Sequence, residues 1–261
     1  MTEPFKNKVV MITGAASGFG ALAAARFAAR GARLALSDLR ESALSDVADK
    51  LRAQGVEVLS DRVDVTQEAP IKTHIARIAD EMGGLDVAIN NAGMGHAVKP
   101  LQHLSVEDFD RSIAVNARSV FLGMKYQIPL MQMVGQGAIL NVASAAGLVG
   151  AGHLAAYAAA KHAVVGLTRA AADENAQRGV RINALCPSFS ATPLFDEMAD
   201  QVGARAGLSR EDAYARIAKR VPMGRVCEPE EVVQAMLWIC APENSFMTGQ
   251  AIAIDGGLTA V

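Results

Sequence analysis

Seven short apolar runs recur along the chain, each followed by Gly, Asn, Asp or another turn-forming residue. They are KVVMIT (8–13), RLALSD (33–38), VEVLSDRVD (56–64), LDVAIN (85–90), GAILNVA (137–143), VRINALC (180–186) and QAIAID (250–255). Runs of this kind read as buried strands. Between them lie stretches of helical period near 17–30, 41–54, 67–82, 105–134, 154–178 and 228–241. Strands that are apolar at nearly every position need cover on both faces, which is the condition of a parallel sheet between helices. The strand–helix alternation predicts an α/β fold, a doubly wound Rossmann-type parallel sheet of about seven strands with right-handed crossovers.

No linker or repeat divides the pattern, so residues 1–261 are expected to form a single dinucleotide-binding and catalytic domain. One segment stands apart. Residues 188–227 are polar in patches (SREDAYARIAKR) and fall between the sixth and seventh strands. They predict helical excursions outside the sheet, placed as a substrate-binding lid.

Composition narrows the field. Half of the residues are hydrophobic, a fifth are charged, and the net charge is −2, so no field draws nucleic acid or an anionic membrane. No run reaches the roughly 18 apolar residues of a membrane span. The N-terminus MTEPFKNKVVMITG does not read as a signal peptide. Three cysteines, Cys186, Cys227 and Cys240, show no CxxC spacing and suit free thiols of a cytoplasmic protein; no metal site is expected.

The first strand runs into TGAASGFG, with Gly14, Gly18 and Gly20 at a strand-to-helix turn. Such a turn points free backbone N–H groups at an anion, and glycine lets a phosphate approach the chain. The spacing Gly-x-x-x-Gly-x-Gly differs from the general dinucleotide fingerprint, and a tight turn alone would also use it. Context adds to it. The second strand ends in Asp38, which can accept both ribose hydroxyls of an adenosine and would repel a 2′-phosphate, arguing for NAD. Arg40 partly offsets that charge, and Ser17 puts no cation into the glycine loop. Asp64 and Val65 suit an adenine edge. NNAG (90–93) follows the fourth strand, where Asn91, Ala92 and Gly93 can hold a ribose or close a turn.

Tyr157 and Lys161 stand four apart in the alanine-rich AAYAAAKHAVVGLTRAAA, hence on one helix face. Free tyrosine titrates near pH 10, a poor match to proton transfer at neutral pH. A cation held close favours the phenolate, so Lys161 is expected to lower the Tyr157 pKa.

Taken in order, TGAASGFG, Asp38, Asp64, NNAG, Asn116 in VNARS, Ser144 in NVASAAG and Tyr157-x-x-x-Lys161 resemble the short-chain dehydrogenase/reductase family from about Lys8 to the terminal DGG. The resemblance implies a catalytic set of Asn116, Ser144, Tyr157 and Lys161. Tyr157 would be the general acid/base, Lys161 would tune it and hold the nicotinamide ribose, Ser144 would bond the substrate oxygen, and Asn116 would anchor a relay water. It implies an NAD site from Gly14, Ser17, Gly18, Phe19, Gly20, Asp38, Leu39, Asp64, Val65, Asn91, Ala92, Gly93, Tyr157, Lys161, Pro187, Ser190 and Thr192. Two departures stand out: Ser188 where the family has glycine, and Phe19 where a smaller residue is usual.

Expected substrate contacts are Ser144, Ala146, His153, Leu154, Tyr157, Phe189, Met94 and His96. Around them lie the apolar Leu148, Val149, Leu194, Phe195 and Met198, with no Arg or Lys to grip an acid. These suit a hydrophobic secondary alcohol or ketone. The phrasing of SAAGLVG and AKHAVVGLTR resembles bacterial NAD-dependent dehydrogenases of cyclic or secondary alcohols. An NADPH-dependent ketoreductase of biosynthesis, acting on β-ketoacyl thioesters, is the alternative; a non-catalytic nucleotide sensor is the third. The family implies a homotetramer, with Val115, Val120, Met124, Ala163, Leu167 and Ala171 as candidate interface positions.

Overall fold

Neighbouring residues of a strand point to opposite faces of a sheet, and here both faces meet apolar partners. The computed structural model describes residues 3–260. Its strands are β1 (Val9–Thr13), β2 (Arg33–Asp38), β3 (Val58–Arg62), β4 (Val87–Asn90), β5 (Gly137–Val142), β6 (Val180–Pro187) and β7 (Ala251–Ile254). They form one parallel sheet of order β3-β2-β1-β4-β5-β6-β7.

Val10, Ile12, Leu34 and Leu36 face one layer, under α1 (Gly18–Ala28), α2 (Glu41–Arg52) and α9 (Pro229–Cys240). Val9, Met11 and Ala35 face the other, under α3 (Glu68–Met82), α5 (Ser119–Met133) and α6 (Ala155–Asn175). The alternation explains why the strand runs carry no polar stripe. The strand order reverses between β1 and β4, so the crevice that takes ligands in such sheets opens at the C-terminal ends of those two strands.

Two expected elements change on folding. The predicted helix 105–134 is three pieces: α4 (Val106–Ile113), a π-turn (Ala114–Arg118) and α5. The π-turn centres on Asn116, and such bulges interrupt the i→i−4 ladder at functional positions. The third strand is shorter than expected and only half buried, because it is an edge strand paired to β2 alone.

The lid segment contains α7 (Pro193–Ala206) and α8 (Arg210–Ala218), which pack on each other. They carry a small core of their own, in which Phe195, Ala199, Ala213 and Ile217 are buried against Phe189, Met198, Val202, Tyr214 and Val226. Phe195 meets Tyr214 edge-on at 4.6 Å and Phe189 at 5.9 Å.

A polar ladder crosses the layer beneath the crevice. Asn90 Nδ2 donates to Gln127 Oε1 (3.1 Å) and Asn141 Oδ1 (2.8 Å), and Gln127 Nε2 donates back to Asn90 Oδ1 (2.8 Å). Asn141 Nδ2 reaches Thr168 Oγ1 at 2.9 Å, which in turn donates to Val164 O. All four side chains are buried, and each is hydrogen-bonded, as an apolar interior requires. The ladder ties β4 and β5 to α5 and α6.

The expected interface positions need correction. Val120, Met124 and Ala171 are buried in this chain's own core, because the inner faces of α5 and α6 are needed against the sheet. The outward face of α6 is instead the small-residue row Ala159, Ala163, Gly166 and Ala170.

Candidate active site

The loop after β1 is shaped by what it cannot accommodate. A side chain on Gly14, at φ +67°, would come within 2.9 Å of Ala92 Cα, and one on Gly20 within 2.1 Å of Gly14 O. The ends of β1 and β4 therefore approach closely. Thr13 Oγ1 accepts from the backbone N–H of both Asn91 and Ala92, each at 3.0 Å. Asn91 Nδ2 donates to Thr13 O (2.9 Å) and Gly14 O (3.2 Å). The Asn91 amide thus closes the turn rather than waiting for a ribose. The Ser17 side chain leaves the start of α1 uncapped, so its N–H groups remain available to an anion. Phe19 packs on the apolar layer under α1.

Asp38 is more engaged than expected. Its Oδ2 accepts from Ala16 N (3.0 Å), and its Oδ1 accepts from Arg40 N (2.9 Å) and Arg40 Nε (3.3 Å). Arg40 Nη2 also donates to Ser17 Oγ at 2.8 Å. The carboxylate is buried, and its first task is to fasten the glycine loop to the end of β2. Leu39, next to it, is exposed. Asp64 Oδ1 closes a turn by accepting from Thr66 N and Thr66 Oγ1, leaving Oδ2 free of such bonds. Val65 lines a small cavity with Thr13, Ser37, His74 and Ala92.

On the far side of the crevice, Ser144 Oγ accepts from Ala146 N (3.2 Å) and faces Pro187 O at 3.5 Å. Lys161 is buried, and its Nζ donates to Val142 O at 2.8 Å while lying 5.5 Å from the centre of the Tyr157 ring. A side chain on Gly93 would meet Asn116 Oδ1 at 3.0 Å and Lys161 Nζ at 3.6 Å, so three motifs distant in sequence converge here. Asn116 is fully buried. Its Oδ1 accepts from Met94 N, and its Nδ2 donates to Met94 O, both at 3.0 Å. The Asn116 side chain therefore holds the loop after β4.

The electrostatics correct the simplest expectation. Burial raises the Tyr157 pKa above its ordinary value; the Ser144 hydroxyl opposes this, and the buried Cys186 thiol adds to it. Desolvation is the largest of these influences, and the neighbouring ammonium is turned to a carbonyl. Burial also lowers Lys161 from 10.5 to about 8. The Cys186 thiol is pushed up to about 11 and is neutral.

The loop after β6 completes the crevice. Ser188 is not in the left-handed region, so the missing glycine costs no backbone strain. Pro187 and Ser190 are buried, and the Ser190 hydroxyl has no partner. Thr192 caps α7, accepting from Phe195 N at 3.4 Å, and its side chain would lie 3.9 Å from a Cβ on Gly18.

Among the expected substrate contacts, Phe189 packs partly buried against the lid's own core with Phe195 and Met198. Arg220 lies over the Phe189 ring at 5.7 Å, a cation that spacing in the sequence did not place there. His153 adopts φ +65°, and its carbonyl accepts from Lys99 N at 3.1 Å. Leu154 precedes α6, and Ala146 sits in the turn after Ser144. Leu194 stands 3.3 Å from the Cβ position of Gly95. Sequence reasoning missed Gln201, whose Oε1 accepts from Val98 N at 2.8 Å and ties α7 to the loop after β4. An exposed-looking Gln in a polar helix gives no signal of such a contact.

A family model described as enoyl-(acyl carrier protein) reductase matches residues 14–259. The chain is 41% identical over 261 residues to the cis-4-hydroxycyclohexanecarboxylate dehydrogenase of Sinomonas cyclohexanicum, covering 100% of both chains. It belongs to the short-chain dehydrogenase/reductase family. It is 36% identical over 259 residues to the cyclohexanol dehydrogenase of Acinetobacter sp. (strain SE19), covering 99% of this chain and 98% of that one. Among solved structures it superposes on a variant actinorhodin polyketide ketoreductase with NADPH at a TM-score of 0.93, with 32% identity and full coverage of both. This family member is therefore an oxidoreductase, similar to dehydrogenases and reductases of cyclic alcohols and ketones.

The buried ammonium has a measurable consequence. Folded Lys161 loses its proton near pH 8, whereas in the unfolded chain it does so near 10.5. Between those values the unfolded state binds more protons, so the Lys161 contribution to stability rises with pH across that window, by up to about 3 kcal/mol. In ligand-free protein, Lys161→Met is expected to be more stable than the parent at pH 7.5, with the gap closing by pH 10.5. Urea titrations at both pH values measure it, and a gap that does not narrow contradicts the assignment.

Proposed function

We propose that the protein is an NAD-dependent dehydrogenase of hydrophobic, cyclic secondary alcohols, and that it reduces the corresponding ketones in reverse. The observation that carries this reading is the convergence of Lys161 Nζ and Asn116 Oδ1 on Gly93, with Tyr157 one helical turn before Lys161 and Ser144 over Pro187.

The residues present fit a dinucleotide. The uncapped start of α1 and the glycines Gly14, Gly18 and Gly20 would take the pyrophosphate, with Ser17 and Phe19 beside it. Asp38 and Leu39 would flank the adenosine ribose, and Asp64 and Val65 the adenine. Asn91, Ala92, Gly93, Tyr157, Lys161, Pro187, Ser190 and Thr192 would surround the nicotinamide half; the unpartnered Ser190 hydroxyl suits an amide. Such a cofactor supplies the hydride chemistry, and the protein's part is orientation and proton transfer.

Tyr157 Oη takes the proton of the substrate hydroxyl in oxidation and returns it in reduction. Ser144 Oγ donates to the substrate oxygen, stabilising charge that builds there. Burial alone makes the phenol a weak acid; the Ser144 hydroxyl favours the phenolate, and the Lys161 ammonium, 5.5 Å from the ring centre, is the cation whose charge would add to that. Asn116 holds Met94 and the loop that walls the site. The apolar Met94, Leu148, Val149, Leu154 and Leu194 suit an uncharged ring.

Asp38 supports NAD, because its charge lies where a 2′-phosphate would fall. A second reading, an NADPH-dependent ketoreductase, is favoured by Arg40, whose guanidinium already spans Ser17 and Asp38. A homotetramer is supported by the row Ala159, Ala163, Gly166 and Ala170, together with Phe109 and Phe121, which are 41% and 47% exposed on the neighbouring helices. The three free thiols support a cytoplasmic location.

Tyr157→Phe is expected to lower kcat/KM for cyclohexanol oxidation by about 10²–10⁴-fold with folding intact; a variant at parent rate refutes the mechanism. Steady-state kinetics with both cofactors should favour NAD over NADP by at least about tenfold, and Asp38→Asn should narrow that preference. A preference for NADP selects the second reading. Ala163→Glu should shift the species seen by analytical ultracentrifugation to a smaller one; an unchanged tetramer, or a monomeric parent, rejects the proposed face.

A further inference from the structure

We propose that Thr13, Ser37 and His74 form a buried hydration site beneath the dinucleotide crevice, taking one water molecule, and that through this water His74 is a positioning residue for the cofactor. The second clause rests on the dehydrogenase reading above and deepens it; the first stands without it.

Paired positions of a sheet stand in a row on one face, and a buried row between helices is expected to be apolar. Under α3 one row is Met11, Ala35 and Leu59, which obeys this. The next row on that face, two residues on, does not: Thr13 pairs with Ser37, and Ser37 with Asp61. Asp61 accepts from His74 Nδ1 at 2.7 Å and from the Arg77 guanidinium. His74 first and then Arg77 hold its carboxyl below the ordinary range, against the opposing effect of burial. A carboxylate only accepts, so Nδ1 carries the hydrogen, and Nε2 of the neutral ring is an acceptor. His74 Nε2 and Ser37 Oγ have no partner, and both residues are 1% exposed.

Both residues line one cavity of about 10 Å³, on the scale that holds one water molecule. Thr13, Asn90 and Ser119 line it too. The lone pairs of Thr13 Oγ1 take the N–H of Asn91 and Ala92, which leaves its hydrogen to give. Ser119 gives its hydrogen to Val115 O at 2.6 Å and can still accept. Both amide hydrogens of Asn90 are spent on Gln127 and Asn141. A water molecule in the cavity can take hydrogens from Thr13 and Ser37 and give its own to His74 Nε2 and Ser119 Oγ. That is within the roughly two to four partners of a buried water. An apolar occupant would leave Nε2 and Oγ unpaired, at a cost in free energy.

The site underlies what the cofactor rests on. Thr13 fixes the Asn91–Ala92 turn, Ser37 O accepts from Ala15 N at 3.1 Å, Asp38 follows Ser37, and Val65 and Ala92 wall the same cavity. On the dehydrogenase reading these segments meet the pyrophosphate, the ribose and the adenine. The water ties them to α3 through His74, so the floor is set before the cofactor arrives.

High-resolution crystals of the full-length parent should show one solvent peak within hydrogen-bond distance of His74 Nε2, Ser37 Oγ and Thr13 Oγ1; a cavity without that peak overturns the hydration site. NADH and NADPH are then titrated by fluorescence. His74→Leu and Ser37→Ala should each raise the Kd of the tighter one by about three- to tenfold, the range one lost hydrogen bond gives, with kcat at saturating cofactor within about twofold of the parent. Ser37→Ala leaves Asp61, His74 and Arg77 together, so it reports even where His74→Leu fails to fold, which circular dichroism shows. A Kd unmoved in the folded variants, or a kcat that falls in step with it, overturns the positioning role while the dehydrogenase reading stands. A parent that binds neither dinucleotide overturns that reading and the positioning role together, and the solvent peak still decides the hydration site.

Discussion

Burying the Lys161 ammonium removes hydration that a single carbonyl, Val142 O, replaces. Much of the surrounding structure follows from that imbalance. A buried cation with so few partners is costly by itself, and the fold tolerates it at the end of β5, beside Tyr157. The same dryness raises the Tyr157 phenol. Two groups that would be ordinary in water are thus both pushed toward their neutral forms, and each favours the other's charge when a ligand brings them into play.

Holding that pair in place takes a rigid foundation. The ladder Asn90–Gln127–Asn141–Thr168 couples β4 and β5 to α5, which follows the π-turn of Asn116, and to α6, which carries Tyr157 and Lys161. Every member is satisfied, so sliding of α6 along the sheet would break several buried hydrogen bonds at once. On the cofactor side, Thr13, Asn91, Asp38 and Ala16 do the equivalent work with loop backbone. Both sides of the crevice are fixed by polar contacts hidden from solvent, whereas the lid has an apolar core of its own and meets the rest at points that include Gln201, Leu194 and Met223. A rigid floor beneath a separately packed lid suits an enzyme whose chemistry is shared widely and whose substrate is chosen locally.

The reading of the strands as double-faced apolar runs carried over closely, since two residues per period and burial on both sides leave little freedom. Gly14 and Gly20 were legible because the backbone comes too close for any side chain, a demand only glycine meets. Asp38, Asn91 and Asn116 were legible as important positions, but the work their side chains do was not. Each had been matched to a ligand, and in the folded chain each is bonded to nearby backbone. The packing of Phe189 on the lid core was not legible either, since an apolar residue beside a cleft can serve the cleft or the lid equally well.

The amino-acid order by itself determined the sheet, its winding, the glycine turn and the family, because those depend on local periodicity and on residue types that tolerate few substitutes. Tertiary structure alone decided which polar atoms are spent and which are left over. That Asn116 is engaged while the Ser190 hydroxyl is left unpartnered, and that Lys161 points to a carbonyl, depends on contacts between segments far apart in the chain. Desolvation and hydrogen-bond pairing are properties of that three-dimensional neighbourhood, and no spacing along the chain encodes them.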